Sequence, residues 1–365
     1  MAKQPGATNR RAFLASSLAL GGTAILSGSA LAKDADKAAA QRAHTRKLHR
    51  ESIVIVIHDH NPVAPDLEPM LAGGVTAKVY QIGLDVDVGA KFLESAPQRK
   101  GWSRRALADL DEVDRTVAAH GDKLLIAYRA ADIVKAKRTG KVAVILGVEG
   151  AKLLDGDVKK LDMFYKRGLR ELQLRWGVPN QIVEQEDLTA FGREVIEACN
   201  RLGIIMSLTH IPARAYDQAL ELMTKPPIIC HGAASRRPED GPDMRGDRQL
   251  RALRDKGGVL GVHFFASYLG SRPNVERVVD QVDYIAQVAG IETVSLGVDF
   301  FPKTGAWAEF MKAQQSDREV SWAIPDLSHM VEVTEALVMR GYSDADVKKV
   351  LGENFLRVCR ANFGS

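Results

Sequence analysis

Between Ile204 and His231 the chain reads I-I-M-S-L-T-H, then a polar segment of helical spacing, then P-P-I-I-C-H. Two short apolar runs each end in a histidine, His210 and His231. The intervening segment, Ala213–Met223, has the spacing of a helix, so the unit is strand–helix–strand. In a parallel sheet the carboxyl ends of such strands share one face. The two imidazoles can therefore meet, and an imidazole pair at strand ends suits a divalent transition metal.

Working outward, the same alternation fills the chain. Apolar, β-branched runs occur at 53–57, 76–82, 142–148, 170–174, 204–209, 227–230, 259–264 and 293–298. Helical patterns lie at 104–119, 159–167, 187–202, 213–223, 247–256 and 274–289. Strands alternating with helices predict an α/β protein with a parallel sheet. Eight such runs in roughly 250 residues predict a closed (β/α)8 TIM-like barrel rather than an open sheet. Gly203 and Gly257 stand where left-handed helix caps are expected. Ser343 to Asp346 resembles a capping box. After it, Val347, Val350, Leu351, Phe355 and Val358 form one stripe, predicting a helix packed on the outside of the domain.

The polar residues fall at the ends of the runs. The first run ends in His58-Asp59-His60-Asn61, the third in Glu149-Gly150, the fifth in His210, the sixth in His231 and the eighth in Asp299. In a barrel these ends form the face that carries active sites. His58 and His60 are two apart, so on an extended strand they point the same way. Four histidines and two acids are too many ligands for one four-coordinate ion. Two ions bridged by a carboxylate would use them, activating a shared water and polarising a carbonyl. Coordination lowers the pKa of water from about 15.7 to about 7. Glu149 is the natural bridge, and Asp299 suits the role of proton acceptor. His263, on the seventh run, points either into the barrel mouth or into the core.

At these residues the chain resembles the membrane (renal) dipeptidase family, a zinc-dependent branch of the amidohydrolase-like barrels. The resemblance runs from Ile53 to Phe363. It is carried by V-E-G around Glu149, G-L-R-E-L-Q-L from Gly168 and L-T-A-F-G-R-E-V-I-E-A-C-N-R-L-G-I-I-M-S-L-T-H ending at His210. It continues in M-R-G-D-R-Q-L from Met244 and V-S-L-G-V-D-F ending at Phe300. The resemblance implies two zinc ions, Glu149 as their bridge, His210 and His231 on one of them, and Asp299 near the bridging water. It also implies hydrolysis of a small peptide or amide bond next to a free carboxylate, by a metal-bridging hydroxide.

Three departures bear on specificity. The family begins its site with a His-x-Asp pair. If His58 matches its histidine, His60 replaces the aspartate; if His60 matches, the aspartate position falls on Pro62. The first register keeps two ligands and is preferred. Where the family has a substrate-facing histidine or tyrosine, this chain has Trp176. The arginine that would hold the substrate carboxylate is matched by Arg236, with Arg237 and Arg245 as competitors; a guanidinium pairs with a carboxylate bidentately. These changes motivate two rival readings. One is a divergent amidohydrolase acting on another small amide or lactone. The other is a metal-depleted barrel acting as a binding protein.

Composition sets the class. Of 365 residues, 45% are hydrophobic and 26% charged, as in a globular protein with a full core. The net charge of +4 is scattered, with no basic stripe, which argues against a nucleic-acid partner. Cys199, Cys230 and Cys359 are odd in number and predict no disulfide scaffold; Cys230 reads as packing. Residues 1–32 read as an export signal: Arg10-Arg11, a weakly apolar stretch and Ala30-Leu31-Ala32 resemble a twin-arginine signal with its cleavage site. That predicts passage through the twin-arginine machinery to the periplasm or beyond. Residues 33–50 read as a leader and 51–365 as one metallohydrolase domain. A homodimer is left open.

Overall fold

The structure, a computed structural model, describes residues 24–85, 101–177, 179–237, 244–270, 272–314 and 320–364. The chain divides into two units, 1–44 and 45–365. The signal reading falls largely outside the described residues, which begin in a helix, Ala24–Glu51. The second unit takes in the last turns of the stretch read as leader. Thr45, Leu48 and His49 are buried in it. His49 Nδ1 lies 2.7 Å from Thr334 Oγ1 and its Nε2 lies 2.9 Å from the Gly73 carbonyl. No helix among the described residues is long and apolar enough to cross a membrane.

Eight parallel strands follow one another around the second unit: β1 (Ile55–Asp59), β2 (Ala77–Leu84), β3 (Val142–Glu149), β4 (Glu171–Gln173), β5 (Ile205–Ser207), β6 (Ile228–Ala234), β7 (Val259–His263) and β8 (Val294–Gly297). Each pairs with the next in chain order. At the carboxyl ends of β1 and β8, Asp299 N donates to the His58 carbonyl at 3.1 Å and His60 N to the Phe300 carbonyl at 2.8 Å. These two bonds join the last strand to the first at the carboxyl mouth. The expected barrel is therefore present.

Every residue of β3 is buried, as a strand covered on both faces requires. Its side chains still alternate. Ala143 and Ile145 join Ile55, Ile57, Val79, Ile205, Ile228 and Cys230 inside the barrel. Val142, Val144 and Leu146 face the surrounding helices. Helices at Trp102–Ala119, Ala190–Leu202, Ala213–Leu222, Asp247–Asp255 and Val275–Ala289 form that outer shell. Gly203 takes the left-handed cap at φ 78°, and Ser343 Oγ accepts from Asp346 N at 3.2 Å.

Two local expectations change and one helix was not expected. The helix expected from residue 187 starts at Ala190, because Asp187–Leu188 pairs with Val183–Glu184 as a hairpin and Thr189 caps the helix through Gly192 N. The helix Val63–Ala72 contains Pro65 and Pro69, which masked it in the sequence. The C-terminal helix is not simply external. It is broken by a π turn at Lys349–Glu353, and Phe355, Val358 and Phe363 beyond the turn join the barrel-interior cluster. A helical stripe says that one face is buried, but not against what.

Candidate active site

The six residues at the strand ends converge. Glu149 ends β3, and the histidines surround its carboxylate. His210 Nε2 and His231 Nε2 lie 3.2 and 3.6 Å from Oε1; His60 Nε2 lies 3.1 Å from Oε2 and His58 Nε2 3.8 Å from Oε1. The imidazoles form two close pairs. His58 Nε2 is 3.2 Å from His60 Nε2, and His210 Nε2 is 3.1 Å from His231 Nε2. Asp299 Oδ1 faces the first pair, at 3.4 Å from His58 and 3.5 Å from His60. The structure thus places His58, rather than Pro62, in the cluster beside His60. Pro62 precedes the helix Val63–Ala72.

His263 faces the mouth. Its Nδ1 accepts the Phe265 backbone N–H at 3.0 Å, so the ring proton sits on Nε2. That Nε2 donates to Asp299 Oδ2 at 3.0 Å. His263 therefore orients Asp299 and keeps no lone pair for an ion while it does so. Two site residues, His210 at φ 60° and Asp299 at φ 53°, hold left-handed backbone that side-chain-bearing residues seldom adopt. Such strain persists where packing over-determines it, commonly at functional sites.

The electrostatics favour ionised acids, with His58 and His231 held neutral beside them. Burial pushes His58 below its ordinary pKa and His231 well below it. Burial also opposes charge on His60, but the hydrogen bond and charge of Glu149 outweigh it, and that pKa rises. Burial works against ionised Glu149 as well; the field of His58 and the hydrogen bonds of His210 and His60 hold it well below the carboxylate range. Asp299 is held low in the same way by His231 and His263.

This donor set fits metal ions. Two imidazole nitrogens on one tetrahedral ion, each at about 2.0–2.1 Å, lie roughly 3.3 Å apart. The two observed pairs, at 3.2 and 3.1 Å, have that spacing. Without a cation, only one nitrogen of each pair can carry a proton into the contact. The ligand atoms of His58, His60 and Glu149, and those of Glu149, His210 and His231, each form a compact triad, with Glu149 common to both.

Above the triads is a cavity of about 170 Å³ walled by Trp176, Trp307 and Phe310. Trp176 stands 6.1 Å from the His210 ring. The nominated arginines do not line this cavity. Arg245 is buried, donates to the Leu208 carbonyl at 3.1 Å and lies over the Tyr216 ring. Arg236 is exposed and hydrogen-bonded with Tyr284. Arg237 is also exposed. An adjoining cavity of about 260 Å³ shares His60 and Trp307 and is lined by Arg105.

A supporting layer was not singled out from the sequence. Gln173 Nε2 donates to Glu149 Oε1 at 3.2 Å, and Gln173 Oε1 accepts from Cys230 Sγ at 3.0 Å. Burial pushes the Cys230 thiol up, so it stays protonated as a packing residue. Asp85, after β2, accepts from Lys152 N at 2.7 Å and Asn180 Nδ2 at 2.8 Å. It occupies the space beside Gly150, where a Cβ would come within 2.0 Å of its carboxyl carbon. Only glycine, at φ 112°, fits after Glu149. The V-E-G triplet was the available signal for this arrangement.

Barrel and mouth together define a class: a metallohydrolase barrel with its ligands at the carboxyl ends of the strands. The profile of the membrane dipeptidase family (peptidase family M19) matches residues 43–363. The chain belongs to that metallo-dipeptidase family. It is 26% identical over 308 residues to the dipeptidase tcpJ of Claviceps purpurea, covering 81% of this chain and 68% of that one. It is 31% identical over 212 residues to an uncharacterized dipeptidase of Schizosaccharomyces pombe, covering 54% and 51%. The chain thus spans about half to two thirds of the length of these relatives. A metallopeptidase of Rhodobacter sphaeroides, solved with a phosphinate mimic of the dipeptide L-Ala-D-Ala, shares the fold. Its TM-score is 0.72 at 21% identity, over 86% of this chain and 100% of that one.

Proposed function

We propose that the chain is an exported, zinc-dependent dipeptidase that cleaves an amide next to a free carboxylate. The observation that carries the metal reading is the convergence of two imidazole pairs on one buried carboxylate. His58 and His60, with Asp299 Oδ1 facing both, would hold one ion; His210 and His231 would hold the other; Glu149 would bridge them. Bound there, the ions would turn a bridging water into hydroxide near neutral pH and polarise the scissile carbonyl.

The chain's own groups complete the chemistry. Asp299, oriented by His263 Nε2–H, is placed to take the water's proton and pass it to the leaving nitrogen. Trp176, Trp307 and Phe310 exclude water above the site. Among the described residues, Arg105 is the only arginine or lysine lining either cavity, which makes it the favoured partner for a substrate carboxylate in place of Arg236 or Arg245. The dipeptide mimic bound by the Rhodobacter protein supports a dipeptide-sized substrate. The aromatic wall without a lysine or arginine in the nearer cavity is the observation that favours a second reading, a divergent amidohydrolase of another small amide or lactone.

The test is Glu149→Gln, which keeps shape and removes the charge between two cations. Zinc content and dipeptide hydrolysis are measured on both proteins. Two zinc ions per wild-type chain are expected. Loss of at least one ion is expected in the variant, with turnover down about a thousandfold or more, which is roughly 4 kcal/mol of transition-state stabilisation. A variant with two ions and near-normal turnover would make Glu149 structural. Wild-type turnover confined to non-peptide amides or lactones would favour the second reading.

A further inference from the structure

Beneath the histidine cluster lies a buried carboxylic side chain that the proposed reaction does not use. Glu171, on β4, is fully buried inside the barrel. Its Oε2 is 3.3 Å from Gln81 Nε2, on β2. The same Gln81 nitrogen lies 3.1 Å from His58 Nδ1. Gln81 Oε1 and Glu171 Oε1 are buried without a hydrogen-bond partner. The neighbouring strand makes room for both side chains with Gly147. A Cβ there would lie 2.4 Å from Glu171 Oε2 and 3.0 Å from Gln81 Nε2.

We propose that Glu171 and Gln81 are positioning residues, a buried relay that holds His58 in the tautomer able to ligate a metal ion. This rests on the reading of His58 as a ligand. A histidine that coordinates through Nε2 carries its proton on Nδ1, and that N–H needs an acceptor. Facing the Gln81 amide nitrogen, it would meet a second donor. A half-turn of the amide brings Oε1 into place, and Oε1 accepts from His58 Nδ1–H. The same oxygen then faces Glu171 Oε2, which can hold that contact only as an O–H donor. The relay therefore reads Glu171 O–H to Gln81 Oε1 from one side and His58 Nδ1–H to Gln81 Oε1 from the other. Two donors share one oxygen, which has two lone pairs.

The environment of Glu171 agrees. Burial, with the charge of Glu149 adding to it, pushes its pKa up to about 8, so the carboxyl is neutral at neutral pH. A neutral Glu171 also avoids a second buried anion beneath Glu149.

The test measures zinc affinity by chelator competition on the full-length chain, and His58 Nδ1–H by nitrogen-15 NMR of the zinc-loaded protein. Four proteins are compared: wild type, Glu171→Gln, Glu171→Leu and Gln81→Met. Glu171→Gln keeps an N–H donor toward Gln81 Oε1 and should bind zinc within about threefold of wild type. Glu171→Leu removes the donor and Gln81→Met the acceptor; each should weaken zinc binding about 10–100-fold. The Nδ1–H signal should survive in the first variant and broaden or vanish in Gln81→Met. Gln81→Met keeps side-chain length and volume, so it carries the test if Glu171→Leu does not fold. Wild-type affinity in Gln81→Met would overturn the relay. So would a loss in Glu171→Gln equal to that in Glu171→Leu, since the carboxyl would then act other than as a donor. A wild-type chain that takes up no zinc would overturn the metal reading itself, and the relay with it.

Discussion

His58 and Pro62 carry opposite expectations for the same metal. His58 Nε2 is 3.2 Å from His60 Nε2 and faces both carboxylates. Removing it leaves one imidazole on that side of Glu149. His58→Ala should therefore lose the ion nearer Asp299, read as about one zinc fewer per chain. Pro62 sits one residue before the helix that starts at Val63. Pro62→Asp should leave zinc content unchanged, its carboxylate acting as a helix N-cap instead. A silent His58→Ala together with a zinc-tightening Pro62→Asp would favour the other register. Of these residue-level features, the six strand-end residues were legible because each follows an apolar run. Gln81, Glu171 and Gln173 were not, because a polar residue inside a short strand does not say which neighbour it meets across the barrel.

At the scale of the element, β1 is anchored from outside the barrel. Asp59, between the two histidines, points away from them. Its carboxylate lies 2.8 Å from Lys78 Nζ on β2, which also reaches Asp66 at 2.6 Å on the helix Val63–Ala72. All three side chains are buried. This triad ties the end of β1 to β2 and to the following helix, and so sets where His58 and His60 stand. Lys78→Met would strand two carboxylates out of water. Breaking a buried pair in this way costs about 3–5 kcal/mol, to be read from urea unfolding. Neutralising the acids as well, with Asp59→Asn and Asp66→Asn, should recover part of that loss. A single Lys78→Met within about 1 kcal/mol of wild type would mean the triad is weakly coupled to the fold.

At the scale of the whole molecule, the barrel follows from the chain order of its strands and closes through the ends of β1 and β8. The closing bonds involve the backbone of His58, His60 and Asp299, so the residues that close the barrel are also residues of the site. The proposed export belongs to this scale too. A folded barrel carrying its ions would suit the twin-arginine route read from Arg10 and Arg11. Changing both to lysine should leave unprocessed precursor in the cytoplasm, seen by fractionation and mass. Normal processing of that double variant would sink the assignment.

Local pattern by itself determined the strand–helix alternation, the barrel class and the His and acid positions at the strand ends. These depend on hydrophobic spacing and on position along the chain, which a sequence displays directly. Only tertiary structure decided which groups meet across the barrel. It turned Arg245 toward Tyr216 and the Leu208 carbonyl, away from the cavity. It brought Trp307 and Phe310, from a segment with no strand-end signal, over the site. It sent the C-terminal helix into the barrel-interior cluster, and it set Glu171 beneath Gln81 and His58. Each of these depends on side-chain direction and on contacts between residues far apart in the chain. Periodicity records which face of an element is buried; it does not record what that face is buried against.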